Sequence, residues 1–141
     1  MGANTAQLQG ALDQPWDRLW QEMADAVWPG AVTLVLPWHG PIAECLHPGG
    51  ASLGLRVPAC ERARALLQRT GPLATTSANR SGESPICDPE AAAQVFPDLP
   101  CLGPLPWPAG SGQASTVLAW EPVGQWRLLR AGDVLPHGIT P

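Results

Sequence analysis

The chain has 141 residues and a formal net charge of −4, which fits one domain, residues 1–141, and speaks against a groove that tracks RNA phosphates. Hydrophobic residues make up 45% of it, too many for general disorder, while 17 prolines and 15 glycines predict many loops. No signal peptide and no apolar run of membrane-spanning length is present, so we expect a cytoplasmic protein without membrane association.

The amino-terminal part of the chain predicts a flexible segment and then a helix. Residues 1–13 are small and polar, and we expect them to be frayed. A helix is predicted from Pro15 to Val27, because proline suits the first helical position and apolar residues then recur on one face. That spacing favours core packing over base stacking by the two tryptophans in it. The apolar face consists of Trp16, Leu19, Trp20, Met23 and Val27.

Two strands and a second helix are predicted next. The run 31–36 is almost wholly apolar, as in a strand covered on both faces, and residues 52–57 predict a second strand. The Pro- and Gly-rich residues 37–51 between them predict a loop or weak hairpin. Residues 59–69 predict a helix capped by Gly71. Its three arginines are most simply explained as a solvated face.

The remainder of the chain alternates short elements with loops. Residues 73–76 predict a short buried strand, and Asp88 and Pro89 predict the start of a helix that reaches Val95. Residues 97–112 predict a long loop. The last two strands are predicted at residues 115–120 and 126–130, joined by a hairpin at 121–124.

The cysteines and histidines predict no metal site. Cys45, Cys60, Cys87 and Cys101 are widely spaced, and no histidine lies at ligand spacing from any of them. We expect buried free thiols and no metal bound by protein side chains.

The most informative segment is residues 75–83 (TTSANRSGE), which follows the apolar run 72–74. Hydroxyls, a carboxamide, a guanidinium and a glycine are packed together there, and such groups bind phosphates and carboxylates. An ordinary polar turn after a strand has the same composition, and the spacing alone leaves both interpretations open.

Four blocks in one order resemble the YrdC-like family of L-threonylcarbamoyladenylate synthases. The resemblance covers about three quarters of the chain. It lies in residues 28–36 (WPGAVTLVL), 53–58 (LGLRVP), 77–79 (SAN), and 114–118 (ASTVL) followed by 128–132 (LLRAG).

The resemblance implies an α/β fold, a twisted open mixed sheet with flanking helices. It also implies condensation of L-threonine, bicarbonate and ATP, with Mg²⁺, into threonylcarbamoyl-AMP, the donor for a tRNA adenosine modification (t6A). No general base or nucleophile is implied, because this chemistry relies on positioning and electrostatics.

The resemblance also assigns the site residues. Arg56, Thr75 and Ser115 would bind threonine, with Arg56 gripping its carboxylate bidentately. The ATP-binding residues would be Ser77, Asn79, Ser84 and Arg130. Without the resemblance, Arg56 is equally well explained by a surface salt bridge, Ser115 by an ordinary strand hydroxyl and Arg130 by a charged strand end.

The sequence departs from the family pattern in two places. All eight basic residues are arginine, so the family's amino-terminal Lys-x-Arg motif, which grips nucleotide and threonine, is absent. The family's Pro-Ser-Pro-Thr stretch appears here as residues 84–87 (SPIC). We therefore expect the chain to be a fragment, a mis-started gene product or a paralogue that lost part of the site. The DNA upstream of Met1 would distinguish these, because an in-frame extension encoding Lys-x-Arg would favour the enzyme.

Two classes of function stay open, together with one weaker possibility. The chain is an adenylate-forming enzyme or part of one, or it is a non-catalytic nucleotide- or RNA-binding paralogue, with the acidic charge against RNA. A module from a larger carbamoyl-transfer protein is the weaker possibility. The resemblance implies further amino-terminal strands that these residues do not include. Without them, sheet edges and apolar surface would be uncovered, and we therefore expect a homodimer or aggregation rather than a clean monomer.

Overall fold

The computed structural model describes residues 1–12, 15–107 and 110–140. It divides into two compact units, one formed by Met1–Ala74 with Ala114–Pro141 and the other by Thr75–Gln113. The first unit contains all four strands and four of the five helices described.

A four-stranded mixed sheet forms the centre of the first unit, as the sequence predicts. Its order is β2-β1-β3-β4, with β1 parallel to β3 and antiparallel to β2, and β3 antiparallel to β4. With the helices beside it, this is the predicted open α/β sheet. The strands are β1 (Val32–Pro37), β2 (Ser52–Leu55), β3 (Thr116–Glu121) and β4 (Gln125–Arg130).

The hydrophobic core lies against one face of this sheet. Leu34, Leu36 and Leu118 are completely buried, and alternate residues of β1 are only half-buried. The prediction that β1 is covered on both faces therefore holds fully for one face and only in part for the other. The half-buried face of the sheet stays accessible for other contacts.

The amino-terminal segment is a helix, where the sequence predicted a frayed end. Helix α1 (Thr5–Leu12) buries Leu8 and Leu12 in the core. The sequence missed it because only these two leucines, at i and i+4, show its apolar face. Residue 13 lies outside the described residues.

Helix α2 (Arg18–Val27) begins later than predicted. Asp17 is its N-cap, and its side chain accepts a hydrogen bond from the backbone N–H of Leu19, so Pro15 is outside the helix. Four residues of the predicted apolar face pack inward, since Trp20 is buried and Trp16, Met23 and Val27 pack against the core. The fifth, Leu19, is 38% exposed, so the prediction is wrong for it. Trp20 meets Trp120 of β3 edge-to-face at 6.2 Å between ring centroids.

Two helices lie between β1 and residue 71, and the sequence predicted one of them. The predicted loop at residues 37–51 contains a helix, α3 (Pro41–Leu46), with a proline in its first turn. Helix α4 (Glu61–Thr70) forms as predicted and ends at Gly71, whose φ of 81° favours glycine.

The strand predicted at residues 73–76 is not formed. Leu73 is 39% exposed, and its backbone N–H and C=O bond instead to the backbone and amino group of Met1. An apolar run forms a strand only where a partner strand runs beside it, which the local sequence does not reveal.

Two local predictions for the end of the chain are confirmed. Helix α5 (Pro89–Val95) in the second unit begins after Asp88, whose side chain accepts from the N–H of Ala91. The β3–β4 hairpin turns at residues 121–124 with Gly124 at φ 83°. Of the predicted loop at 97–112, the described part carries no helix or strand.

Candidate functional site

Three of the predicted site residues lie at one end of the sheet in the first unit. Arg56 directly follows β2, Ser115 directly precedes β3, and Arg130 ends β4. Since β2 and β4 run antiparallel to β1 and β3, the ends of the first pair meet the beginnings of the second.

Arg56 and Ser115 also belong to the half-buried face of the sheet. Leu55 lies on the core face opposite Leu34, so the next residue, Arg56, faces the other way if the alternation continues. Thr116, the residue after Ser115, is completely buried on the core face, so Ser115 also faces the other way. The core therefore supports the site from behind without covering it.

Ser115 and Arg130 are in direct contact. The Arg130 guanidinium donates from Nε (3.1 Å) and Nη2 (2.9 Å) to the backbone oxygen of Ser115. Nη2 also lies 3.3 Å from the Ser115 hydroxyl oxygen. Arg130 is exposed, so part of its donor capacity faces solvent.

A fourth residue of this group, Thr33 in β1, was not predicted as a site residue. Its Oγ1 is 3.0 Å from the Ser115 Oγ, across 82 positions of sequence. The available signal was that Thr33 is the one polar residue in the run 31–36. We call Thr33, Arg56, Ser115 and Arg130 the sheet-end cluster.

Arg56 is held in place by the backbone. Its Nε donates to the Gly30 carbonyl oxygen at 2.9 Å, and the side chain is half-buried. Burial lowers the pKa of the Arg56 guanidinium from its ordinary value, and the charge of Asp133 acts in the opposite sense. Because Nε is engaged, a carboxylate would be gripped end-on, through the two Nη groups.

The turn after β4 is fastened to the start of β3 by Thr116. The Thr116 Oγ1 accepts from the Gly132 N–H at 3.0 Å and donates to the Val134 carbonyl. The N–H of Asp133 donates to the Ala114 carbonyl at 3.0 Å. Gly132 is required here, because a Cβ would lie 2.3–2.4 Å from backbone atoms of residues 114–116.

The other predicted site residues, Thr75, Ser77, Asn79 and Ser84, belong to the second unit. Thr75, Ser77 and Ser84 are exposed, and Asn79 is half-buried. Their segment is a loop closed by a 2.8 Å bond from the Ile86 N–H to the Ala78 carbonyl. The loop therefore presents the hydroxyls of both serines to solvent.

Asn79 organises this loop and retains one unused acceptor. Its Nδ2 donates to the carbonyls of Arg80 (2.9 Å) and Glu83 (3.1 Å). Its Oδ1 is buried and has no hydrogen-bond partner in the part of the chain that the structure describes. Two carbonyl acceptors fix the Nδ2 side, so this orientation of the amide is the one the hydrogen bonds require.

Arg80 connects the same loop to α5. Its Nη2 lies 3.4 Å from the Val95 carbonyl, and its guanidinium lies 5.9 Å from the centre of the Phe96 ring. A cation at a helix carboxyl end is favourable, so Arg80 stabilises the loop position.

A separate apolar groove of about 720 Å³ lies in the first unit. It runs between α2, the β3–β4 hairpin and residues 134–137, and Trp120 and Trp126 line it. The sheet-end cluster does not contribute to its lining, so the groove is distinct from that cluster.

The cysteine prediction is half right. All four cysteines are free, but they are exposed rather than buried. No three His, Cys, Asp or Glu side chains within residues 1–12, 15–107 and 110–140 are grouped to hold a metal ion. No helix in the described part of the chain is long and apolar enough to cross a membrane.

An open mixed sheet with flanking helices, and with an arginine and hydroxyl cluster at one end, defines an α/β protein. The model of the Sua5/YciO/YrdC family, described as telomere recombination, matches residues 1–132. The chain belongs to this family.

Known members support this membership. A threonylcarbamoyl-AMP synthase of Idiomarina loihiensis is 40% identical over 72 residues, which are 50% of this chain and 39% of that protein. The threonylcarbamoyl-AMP synthase of Bos taurus is 32% identical over 117 residues, 76% of this chain and 41% of that one. The chain thus spans about two fifths of these two relatives.

A solved structure shows the same fold. The crystal structure of P. abyssi Sua5 complexed with L-threonine superposes with a TM-score of 0.78 at 29% sequence identity. The match covers 93% of this chain and 38% of that one.

Proposed function

We propose that this chain contributes to threonylcarbamoyl-AMP synthesis. In that reaction the amino nitrogen of L-threonine adds to the carbon of bicarbonate with loss of water. An oxygen of the resulting carbamate then attacks the α-phosphorus of ATP and displaces pyrophosphate. The observation that carries the proposal is the sheet-end cluster, in a chain of a family whose named relatives are threonylcarbamoyl-AMP synthases.

The cluster supports the binding of an amino acid. The Nη groups of Arg56 would bind the threonine carboxylate, and the Ser115 hydroxyl, with Thr75, would hold the rest of the molecule. A half-buried guanidinium held by a backbone carbonyl is pre-oriented, which reduces the entropy lost when a carboxylate binds.

ATP would be bound by Ser77, Asn79, Ser84 and Arg130. The exposed hydroxyls can donate to phosphate oxygens. The unpaired Oδ1 of Asn79 is an acceptor, which suits the water shell of Mg²⁺, an ion that prefers oxygen ligands. Mg²⁺ would enter as the partner of ATP, as part of the substrate. Arg130 contacts Ser115, so the same pair would respond to both substrates.

The sequence also supports a second candidate, a non-catalytic nucleotide-binding paralogue. The 141 residues contain no lysine, so these residues by themselves supply no Lys-x-Arg to the triphosphate. Two missing charge-assisted contacts at about 1.5–3 kcal/mol each would weaken ATP binding on the order of a hundredfold or more.

Pyrophosphate release from ATP with L-threonine, bicarbonate and Mg²⁺ tests the proposal. We expect little release by the 141 residues alone and robust, threonine-dependent release by a form carrying an amino-terminal Lys-x-Arg segment. Nucleotide binding without release by either form would favour the paralogue. Robust release by the 141 residues would show that another group, such as Arg80, replaces the lysine.

A further inference from the structure

Thr33 is a polar residue in an otherwise apolar strand, and the proposed function does not yet use it. Its neighbours Val32 and Leu34 are at most 1% exposed, while Thr33 itself lies on the half-buried face. A hydroxyl at such a position costs desolvation unless it finds a partner. Its partner is the Ser115 hydroxyl, at 3.0 Å.

The position of this pair is set by the sheet itself. Strand β1 runs parallel to β3, with Val32 beside Thr116 and Thr33 beside Val117. A β-branched side chain has few χ1 rotamers, so Thr33 is rigid in a strand. The Thr33 Oγ1 is therefore a fixed point against which the unbranched Ser115 side chain is aligned.

The contacts of the Ser115 hydroxyl use its oxygen as an acceptor and leave its proton free to donate. An arginine guanidinium only donates, so the Ser115 Oγ accepts from Arg130 Nη2 at 3.3 Å. If Thr33 also donates to Ser115, both acceptor sites of the serine oxygen are filled. The single proton of Ser115 is then available to donate to a bound ligand.

We propose that Thr33 is a positioning residue for L-threonine, which orients the Ser115 hydroxyl so that its proton is donated to the amino acid. This inference rests on the proposed function, because it takes L-threonine as the ligand. Thr33 acts through Ser115 and needs no contact of its own with the ligand.

Isothermal titration with L-threonine tests the inference with two substitutions at one position. Thr33→Val keeps the β-branched shape and removes the hydroxyl, and we expect threonine affinity to fall about threefold to tenfold, the worth of one neutral hydrogen bond. Thr33→Ser restores a hydroxyl and should recover most of the affinity.

Thr70→Val is the matched control. Among the described residues, the Thr70 hydroxyl bonds to the Leu66 and Gly71 carbonyls at the end of α4 and to no member of the cluster. Threonine affinity should not change in this variant. Melting temperatures of all variants show whether any loss of affinity is a loss of folding.

A double-mutant cycle separates positioning from direct contact. In a Ser115→Ala background, Thr33→Val should cause no further loss, since Thr33 acts through the missing hydroxyl. A further loss of similar size, or wild-type affinity of Thr33→Val alone, would overturn the inference while leaving the proposed function intact. Absence of threonine binding by the unmodified protein would overturn both.

Discussion

At the residue scale, Asn79 shows how a single side-chain amide can hold a loop together and still leave one acceptor unpaired. Its Nδ2 is used by the Arg80 and Glu83 carbonyls, and its Oδ1 is buried without a partner among the described residues. The sequence predicted Asn79 as a phosphate-binding residue, and that role stays a prediction. What the sequence did not reveal is that the loop itself depends on this side chain.

We expect Asn79→Asp to destabilise the loop by about 1–3 kcal/mol. The substitution replaces two donors with a carboxylate oxygen that faces two carbonyl oxygens, and unpaired buried groups cost about that much. Hydrogen exchange of the Ile86 amide, which closes the loop, measures the effect. Unchanged protection of this amide in the variant would contradict the account.

Asn4→Asp is the matched control for this prediction. The Asn4 Oδ1 already accepts from the Gln7 N–H at the start of α1, and an aspartate keeps that bond. A negative charge at a helix amino end is also favourable. Stability should be unchanged or slightly higher.

Single residues also explain what sequence reasoning missed in the site. Arg56, Ser115 and Arg130 were predicted through motifs, and each motif is local. The contact of Thr33 with Ser115 spans 82 positions, and only the pairing of β1 with β3 creates it. No local pattern marks such a contact, so sequence reasoning could note only that a lone hydroxyl interrupts an apolar strand.

At the element scale, two glycines differ in the space that the fold leaves for an added Cβ atom. Gly132→Ala would place a Cβ within 2.4 Å of backbone atoms of residues 114–116, at the start of β3 and just before it. The backbone there would have to shift to make room. We expect a loss of about 1–3 kcal/mol, typical of overpacking, in urea denaturation. A variant as stable as the unmodified protein would contradict the close approach.

Gly10→Ala is the same substitution at a position with space for a Cβ, and we expect it to raise stability rather than lower it. Gly10 is inside α1 and exposed, and a Cβ added there would meet no described atom within 4 Å. Alanine in a helix interior is favoured over glycine by about 0.5–1 kcal/mol. A gain in stability of that size would support α1 as a helix, and a loss would contradict it.

The elements that the sequence predicted well are those with local chemistry. Asp88 before Pro89 predicts α5, and Gly124 predicts the β3–β4 turn, because caps and turns need particular residues. Helix α1 and the absent strand at residues 73–76 depend on packing and pairing with distant segments. Those are properties of the folded chain, so sequence reasoning was wrong at both.

At the scale of the whole molecule, the sheet of the first unit has two edges, β2 and β4. Charged side chains discourage pairing between sheet edges. Arg127 and Arg130 lie on β4, and Arg127 pairs with Glu121. Strand β2 (Ser52–Leu55) carries no charge, so it is the edge that favours association.

We therefore expect a homodimer that forms through β2. Light scattering should give a dimer at high protein concentration, and Ser52→Lys should shift it to a monomer by placing a charge on that edge. Gln125→Lys, which adds the same charge to β4, should leave the dimer unchanged. A monodisperse monomer of the unmodified protein at high concentration would contradict the prediction.

The most direct measurement of the central claim is calorimetric titration of L-threonine into the protein and its Arg56→Lys variant. The account predicts saturable binding that weakens about tenfold to a hundredfold in the variant, because lysine cannot grip a carboxylate bidentately. Arg127→Lys, on the exposed Glu121 pair, should bind as the unmodified protein does. Equal binding by the unmodified protein and Arg56→Lys, or no binding by the unmodified protein, would contradict the claim that the sheet-end cluster receives threonine.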